Sequence, residues 1–254
     1  MSIAVGLGLS DYPFSSSDLF WKWVGLCEGG GVDSLWQTDR IVSRKPILES
    51  LTTMAAIAGA TKRIKFGMNV VSLGLRDPLL LAKQCATIDV LSQGRLLPAF
   101  GVGNIRAPEW DATSLPTKGR GQRTNEGLHL ITKLWTEDNV TFKGQFYDYK
   151  SASISPKPLQ KRLPMWIGGS SSAAIRRTAK YGTGWQSGFE TPGEVESTIL
   201  AIKKALICEG RHIEGDHYGA SFGYRFGAWT DSSVEKSVRT IEKRLGRDPS
   251  QVFA

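Results

Sequence analysis

The chain has 254 residues, 41 % of them hydrophobic and 22 % charged, with 32 Lys and Arg against 24 Asp and Glu for a formal net charge of +8. That is enough apolar material for one large α/β unit, and it excludes a disordered chain, a collagen-like repeat and a disulfide-dense scaffold. No apolar run reaches the ~18–20 residues of a bilayer span and the start lacks the features of a signal peptide, so a cytoplasmic location is expected.

Cys27, Cys85 and Cys208 are odd in number and far apart, which points to free thiols. Basic residues come in small groups, Arg44-Lys45, Arg120 with Arg123, Lys161-Arg162 and Arg176-Arg177, mixed with carboxylates. This suits a solvated surface or attraction for small anionic ligands rather than a nucleic-acid stripe. The spacing of His129, His212 and His217 fits no metal site, and no metal is expected.

Short extended runs begin near Ile3, Ser34, Ile64 and Arg95, about thirty residues apart. Each interval holds one strand–loop–helix–loop unit, and units of this kind build a parallel sheet. The helices between them are predicted over Asp18–Glu28, Ile47–Ala60 and Pro78–Ser92. Asp77 is the expected N-cap of the third, Pro78 its first residue and Gly94 its stop. A fourth strand, Arg95–Gly101, leads into a long loop, Asn104–Gly119, and a helix to about Trp135. A hairpin is expected over Val140–Tyr149, and Pro156, Pro158 and Pro164 return the chain in extended form to a fifth strand, Met165–Gly168. Helix Ser171–Tyr181, strand Gly184–Ser187, helix Pro192–Glu209, strand Ala220–Trp229 and helix Ser232–Leu245 complete the pattern. Seven strands fit either an open sheet or a (β/α)8 barrel whose eighth strand the segment Asp248–Ala254 is too short to supply.

Six segments in order resemble the bacterial luciferase-like monooxygenase superfamily: Ser34 to Arg40, Pro78 to Gln84, Ile88 to Arg95, Gly101-Val102-Gly103, Pro156-Lys157-Pro158, and Trp166 to Ser170. The resemblance implies a single TIM-type barrel over 1–254, an α/β fold with an insertion at about 104–164 and its last strand–helix unit missing from this chain. It implies binding of FMN or, alternatively, of the deazaflavin coenzyme F420, at the C-terminal mouth of the strands. The reaction would be oxidation of a small organic substrate by reduced FMN and oxygen, with a separate flavin reductase, or hydride transfer with F420. A non-catalytic flavin-binding barrel is the alternative. Relatives pair through helices near the second and third strands, which implies a homodimer; Leu51, Met54 and Ile57 would serve that interface or the barrel core.

Asp39 and Arg40 end the second strand and are the candidate catalytic pair. Many deazaflavin-using relatives resemble this site with His in the second position; Arg is too basic for proton transfer near neutrality. Ser72-Leu73 resembles a bulge that presses on the flavin ring through a cis peptide. Gly101, Gly103 and Asn104 end the fourth strand, where glycines let backbone approach a ligand and Asn104 offers hydrogen bonds. Gly168, Gly169, Ser170 and Ser171 join a strand to a helix N-terminus and form a natural phosphate cradle, with Arg176 and Arg177 facing solvent beyond it. Trp185, Gln186 and Arg225 are candidates to wall a substrate pocket.

Overall fold

The computed structural model describes residues 3–223, 228, 230–232, 234–236 and 238–239. In chain order the elements are β1 (Gly6–Leu9), α1 (Ser17–Gly29), β2 (Ser34–Gln37), α2 (Ser50–Ala60), β3 (Lys65–Met68), β4 (Val71–Ser72), a 3-10 turn (Leu73–Leu75), α3 (Pro78–Ser92), β5 (Leu96–Leu97), β6 (Ala99–Gly101) and α4 (Glu109–Ala112). There follow α5 (Arg120–Thr136), β7 (Val140–Lys143), β8 (Asp148–Ala152), β9 (Trp166–Gly168), α6 (Ser172–Tyr181), β10 (Gly184–Gln186), α7 (Pro192–Cys208) and β11 (Tyr218–Gly219).

The strands pair in the orders β1-β2-β3-β5 and β11-β10-β9-β6-β4, every neighbour parallel. β3 and β4 are halves of one strand interrupted at Asn69-Val70, and β5 and β6 are halves on either side of Pro98, which has no N–H to give the ladder. The two sheets therefore form one run of seven strand positions in chain order without reversal, the winding of a barrel rather than of a doubly wound sheet. Among the described residues no strand bridges β1 and β11.

Local chemistry places the helices where the sequence predicts them. Asp77 Oδ1 accepts from Leu80 N–H at 3.0 Å, Pro78 opens α3, and Gln93 closes it in the left-handed region. Thr191 and Glu194 form a reciprocal capping box at the start of α7. Leu51, Met54 and Ile57 are buried within the core of this one chain.

Four expectations change. The seventh strand is Tyr218–Gly219, paired with Trp185–Gln186, and not Ala220–Trp229; 224–227 and 229 lie outside the described residues. The helix expected from Ser232 is described only in part. The loop Asn104–Gly119 contains α4, which buries Glu109 and Trp110. Of the expected insertion at 104–164, α5 packs between α3 and α6 as one of the barrel's own helices; the antiparallel β7–β8 hairpin is the excursion.

Inside the barrel, Trp36 of β2 and Trp166 of β9 meet edge to face with centroids 5.7 Å apart. Glycines make the room: a Cβ at Gly6 would lie 2.9 Å from Trp36, and one at Gly184 would lie 2.6 Å from Trp166. At the N-terminal ends of the strands, side-chain cations close helix C-termini. Arg63 donates to Cys27 and Glu28 carbonyls of α1, Arg95 to those of Ala58 and Thr61 at the end of α2, Lys157 to Leu134 and Glu137 at α5, and Arg211 to Ala179 and Gly182 at α6. Each places positive charge at the negative end of a helix dipole and satisfies carbonyls the helix leaves free.

Candidate active site at the C-terminal mouth

The loop leaving β2 carries Asp39 and Arg40, and the structure sends them to different partners. Asp39, 2 % exposed at its side chain, accepts from Arg76 Nη2 and Nη1 at 2.7 and 2.8 Å, from Ser50 Oγ at 2.7 Å and from Ser72 N–H at 3.3 Å. Arg76 also reaches Glu49 at 3.2 Å. Burial alone would lower the Arg76 pKa; the Asp39 and Glu49 carboxylates outweigh it and hold the value above the ordinary one. The expected Asp39–Arg40 pair is not made. Asp39 instead ties β2, α2, β4 and the start of α3 into one rigid rim, a positioning role set by a fully satisfied buried ion pair.

Arg40 turns to α4. Its Nη1 lies 3.7 Å from Glu109 Oε2, and its side chain is 35 % exposed while that of Glu109 is 3 % exposed. Glu109 Oε1 accepts from Ile41 N–H at 3.3 Å, and Oε2 has no hydrogen-bond partner among the described residues. A buried carboxylate oxygen without a donor is rare in folded proteins. Trp110, 2 % exposed, anchors this unit by donating from Nε1 to the Asn104 carbonyl at 2.8 Å. The Asn104 side chain accepts from Arg106 N–H at 2.9 Å and is exposed, so it closes a turn. Glu109 escaped the sequence reading because its segment looks like loop; the acid-plus-tryptophan pair Glu109-Trp110 within a polar stretch was the available signal.

The non-proline cis peptide falls at Asn69-Val70 rather than at Ser72-Leu73. Val70 projects over the mouth, where Cβ atoms at Gly101 and Gly168 would lie 2.7 and 2.9 Å from its methyls, so both glycines accommodate this side chain. Leu73 is fully buried and packs against Gly127 of α5, away from the mouth. Ser72 remains at the rim with Oγ against Gly103, whose φ of +80° only glycine adopts readily.

Three strand positions from β2, β9 ends at Gly168 and α6 begins. Gly169 has φ of +104°, Ser170 is exposed, and Ser171 Oγ accepts from Ala174 N–H at 3.2 Å as the N-cap. Helix geometry leaves the N–H groups of Ser172 and Ala173 without intrahelical acceptors. Arg177 does not face solvent freely: it donates to Asn125 Oδ1 at 2.6 Å and to the Gly121 carbonyl at 3.2 Å, which draws the first turns of α5 and α6 together. Burial, and then the charges of Arg176 and Arg120, lower its pKa. Arg120 Nε, at the first position of α5, is buried without a hydrogen-bond partner among the described residues. Neither helix carries an acidic residue in its first turn. Free N–H groups, an exposed hydroxyl and nearby guanidinium groups, with no acidic residue in either first turn, suit the phosphate that FMN and F420 have in common.

Trp185 belongs elsewhere: it is fully buried on the helix side of β10 with Ala179, Ile202 and Leu206, and its Nε1 donates to the Gly169 carbonyl at 2.9 Å. Gln186, the next residue, turns to the interior and donates to Ser221 Oγ at 2.8 Å, as Asn69 does at 3.3 Å. Arg225 lies outside the described residues. Among the described residues there is no metal-binding cluster, and no helix long and apolar enough to cross a membrane.

A parallel barrel winding with its polar groups gathered at the C-terminal mouth defines a cofactor- or substrate-binding α/β-barrel protein. The family model for luciferase-like monooxygenases matches residues 20–242, and the chain belongs to that family. An uncharacterized protein of Mycobacterium tuberculosis is 34 % identical over 161 residues, covering 63 % of this chain and 54 % of its own. An F420-dependent glucose-6-phosphate dehydrogenase of Amycolatopsis mediterranei is 30 % identical over 225 residues, 84 % of this chain and 66 % of its own. An FMNH2-dependent dimethylsulfone monooxygenase of Pseudomonas putida is 34 % identical over 143 residues, 54 % of this chain and 38 % of its own. The chain thus spans between about half and two thirds of the first two relatives' length. The FMN complex of the oxygenating constituent of 3,6-diketocamphane monooxygenase from Pseudomonas putida superposes with a TM-score of 0.79 at 17 % identity, covering 100 % of this chain and 82 % of that one. The fold is that of the luciferase-like barrel, and its relatives use either F420 or FMN.

Proposed function

We propose that this chain is the barrel of a flavin-type oxidoreductase that holds FMN, or alternatively coenzyme F420, across its C-terminal mouth and oxidises or reduces a small organic substrate there. The observation that carries the reading is the turn where β9 meets α6, with Gly169 at φ +104°, free N–H groups at the helix start, no acidic residue in its first turn and Arg176 and Arg177 further along the same helix. The bound cofactor would supply the redox chemistry.

The chain's own residues do the rest. Gly168, Gly169, Ser170 and Ser171, with the free N–H groups of α6, bind the phosphate. Ser72, Val70 and Gly103 shape the rim beneath the ring, and Asp39 with Arg76 keeps that rim rigid, as a preorganised site requires. Glu109, on the loop after β6, has a buried carboxylate oxygen without a hydrogen-bond partner among the described residues, which would accept from a substrate hydroxyl or amine that reaches it. In the FMN form a separate reductase supplies reduced flavin.

Fluorescence titration of the purified chain with FMN and separately with F420 tests the reading. Saturable binding of one cofactor is expected, and Ser170→Asp, which sets a carboxylate against the phosphate, should weaken it at least about tenfold, roughly 1.4 kcal/mol. Binding of neither, or binding indifferent to Ser170→Asp, would overturn the assignment.

A further inference from the structure

Two arginines stand at the same rim in opposite states. Arg76 is locked, with three hydrogen bonds at 2.7 to 3.2 Å to Asp39 and Glu49. Arg40, with five N–H donors, has one ion-pair partner among the described residues, Glu109 at 3.7 Å, and that contact is not a hydrogen bond. Glu109 in turn is desolvated, held from behind by Ile41 N–H, with Oε2 directed at Arg40 and unpartnered. A pair this loose satisfies neither member. Burying a carboxylate oxygen without a donor costs free energy, and a guanidinium fork 35 % open to solvent is a ready bidentate ligand for a planar or tetrahedral anion.

The position of the pair sets its role. Arg40 follows β2 and Glu109 lies on the loop after β6, so the pair bridges the strand position of β3 and β4 that lies between them. The phosphate cradle lies after β9. β9 neighbours β6, so Glu109 is on the loop of the adjacent strand, while Arg40 follows a strand three positions from the cradle and is left for an anion other than the one the cradle would hold. Its sequence neighbour Lys45 is engaged with Asp11 at 3.4 Å, so Arg40 is the cation of this loop turned to the buried acid.

We infer that Arg40 is the anchor for an anionic group of the substrate, a carboxylate, sulfonate or phosphate, which takes the guanidinium from Glu109 and leaves Glu109 Oε2 to accept a hydrogen bond from the same molecule. This rests on the proposed cofactor site and adds the chemical class of the substrate. It makes Arg40 a specificity residue rather than a proton-transfer group.

The test reads arginine Nε–Hε resonances by NMR in the FMN- or F420-loaded chain, titrated at constant ionic strength with acetate, methanesulfonate, inorganic phosphate and, uncharged, acetamide. The Arg40 signal, identified by its loss in Arg40→Met, should shift saturably with at least one anion and not with acetamide; the tightest anion identifies the group. Glu109→Gln keeps the shape of the acid and removes the competing charge, so anion binding should tighten about fivefold or more. A saturable site unchanged by Arg40→Met, no anion response at all, or weaker binding in Glu109→Gln would overturn the inference. The cofactor titration on the same samples keeps the two readings apart. If neither FMN nor F420 binds, the cradle assignment fails, and the anion titration of the chain alone still judges Arg40.

Discussion

The two ends of the barrel use the same residue types to opposite effect. At the N-terminal end, Arg63, Arg95, Lys157 and Arg211 each spend their donors on backbone carbonyls at helix C-termini. At the C-terminal end, Arg40 and Arg120 have donors without hydrogen-bond partners among the described residues. A charge at the first end completes the fold, whereas Arg40 and Arg120 at the second end leave donors for the ligands proposed above. Asp39 with Arg76 is the exception, a stability element built into the functional end.

That contrast can be broken by substitution. Asp39→Asn removes the buried carboxylate that takes two of Arg76's hydrogen bonds and leaves Arg76 only the more exposed Glu49 as an ionic partner; it should cost about 3–5 kcal/mol in urea unfolding, the largest effect here. If it costs under 1 kcal/mol, the rim is not held by this pair. Arg95→Ala removes donors to Ala58, Thr61, Ile64 and Ser92 and the contact with the Phe66 ring. It should cost about 2–4 kcal/mol with cofactor affinity of the folded fraction unchanged. Ser170→Asp should do the reverse, lowering cofactor affinity at least about tenfold while the unfolding midpoint stays within about 0.5 kcal/mol of the parent. An equal effect on both measurements, from either variant, would dissolve the distinction between the two ends.

The smallest effect concerns pH at the N-terminal end. Burial alone would raise the Glu28 pKa, but N–H groups of Lys62, Ile64 and Arg63 and the Arg63 charge bring it below its usual 4.5. The stabilisation is therefore complete above that usual value and is lost as pH falls through the lowered one. Glu28→Gln should flatten the stability curve in that acid range by less than about 1 kcal/mol, as befits a largely exposed carboxylate. Comparing unfolding midpoints at pH 3 and pH 7 for both proteins checks the sign.

Much of the fold was legible because its signals are local. Asp77 before Pro78, Ser171 before α6 and Thr191 with Glu194 each act across three residues, and each helix begins where its cap says. The turn at Gly168–Ser171, a strand end followed by the Ser171 cap, was legible for the same reason. The site's charges were not. Asp39 finds Arg76 37 positions away instead of the adjacent Arg40, and Glu109 meets Arg40 through a four-residue helix too short to leave a period. Trp185 and Gln186 show how little a residue type says alone: successive strand residues face opposite sides, so the tryptophan went to the helices and the glutamine to the interior.

By itself the sequence determined the alternation of strands and helices, their caps, the family and the strand-to-helix turn suited to a phosphate, all consequences of contacts within a few residues or of a repeat. Only the tertiary structure decided which acid faces which arginine, which glycines make room for Val70 and the two interior tryptophans, and where the cis peptide falls. Those depend on which strands lie side by side and at what register, and no local pattern carries that information.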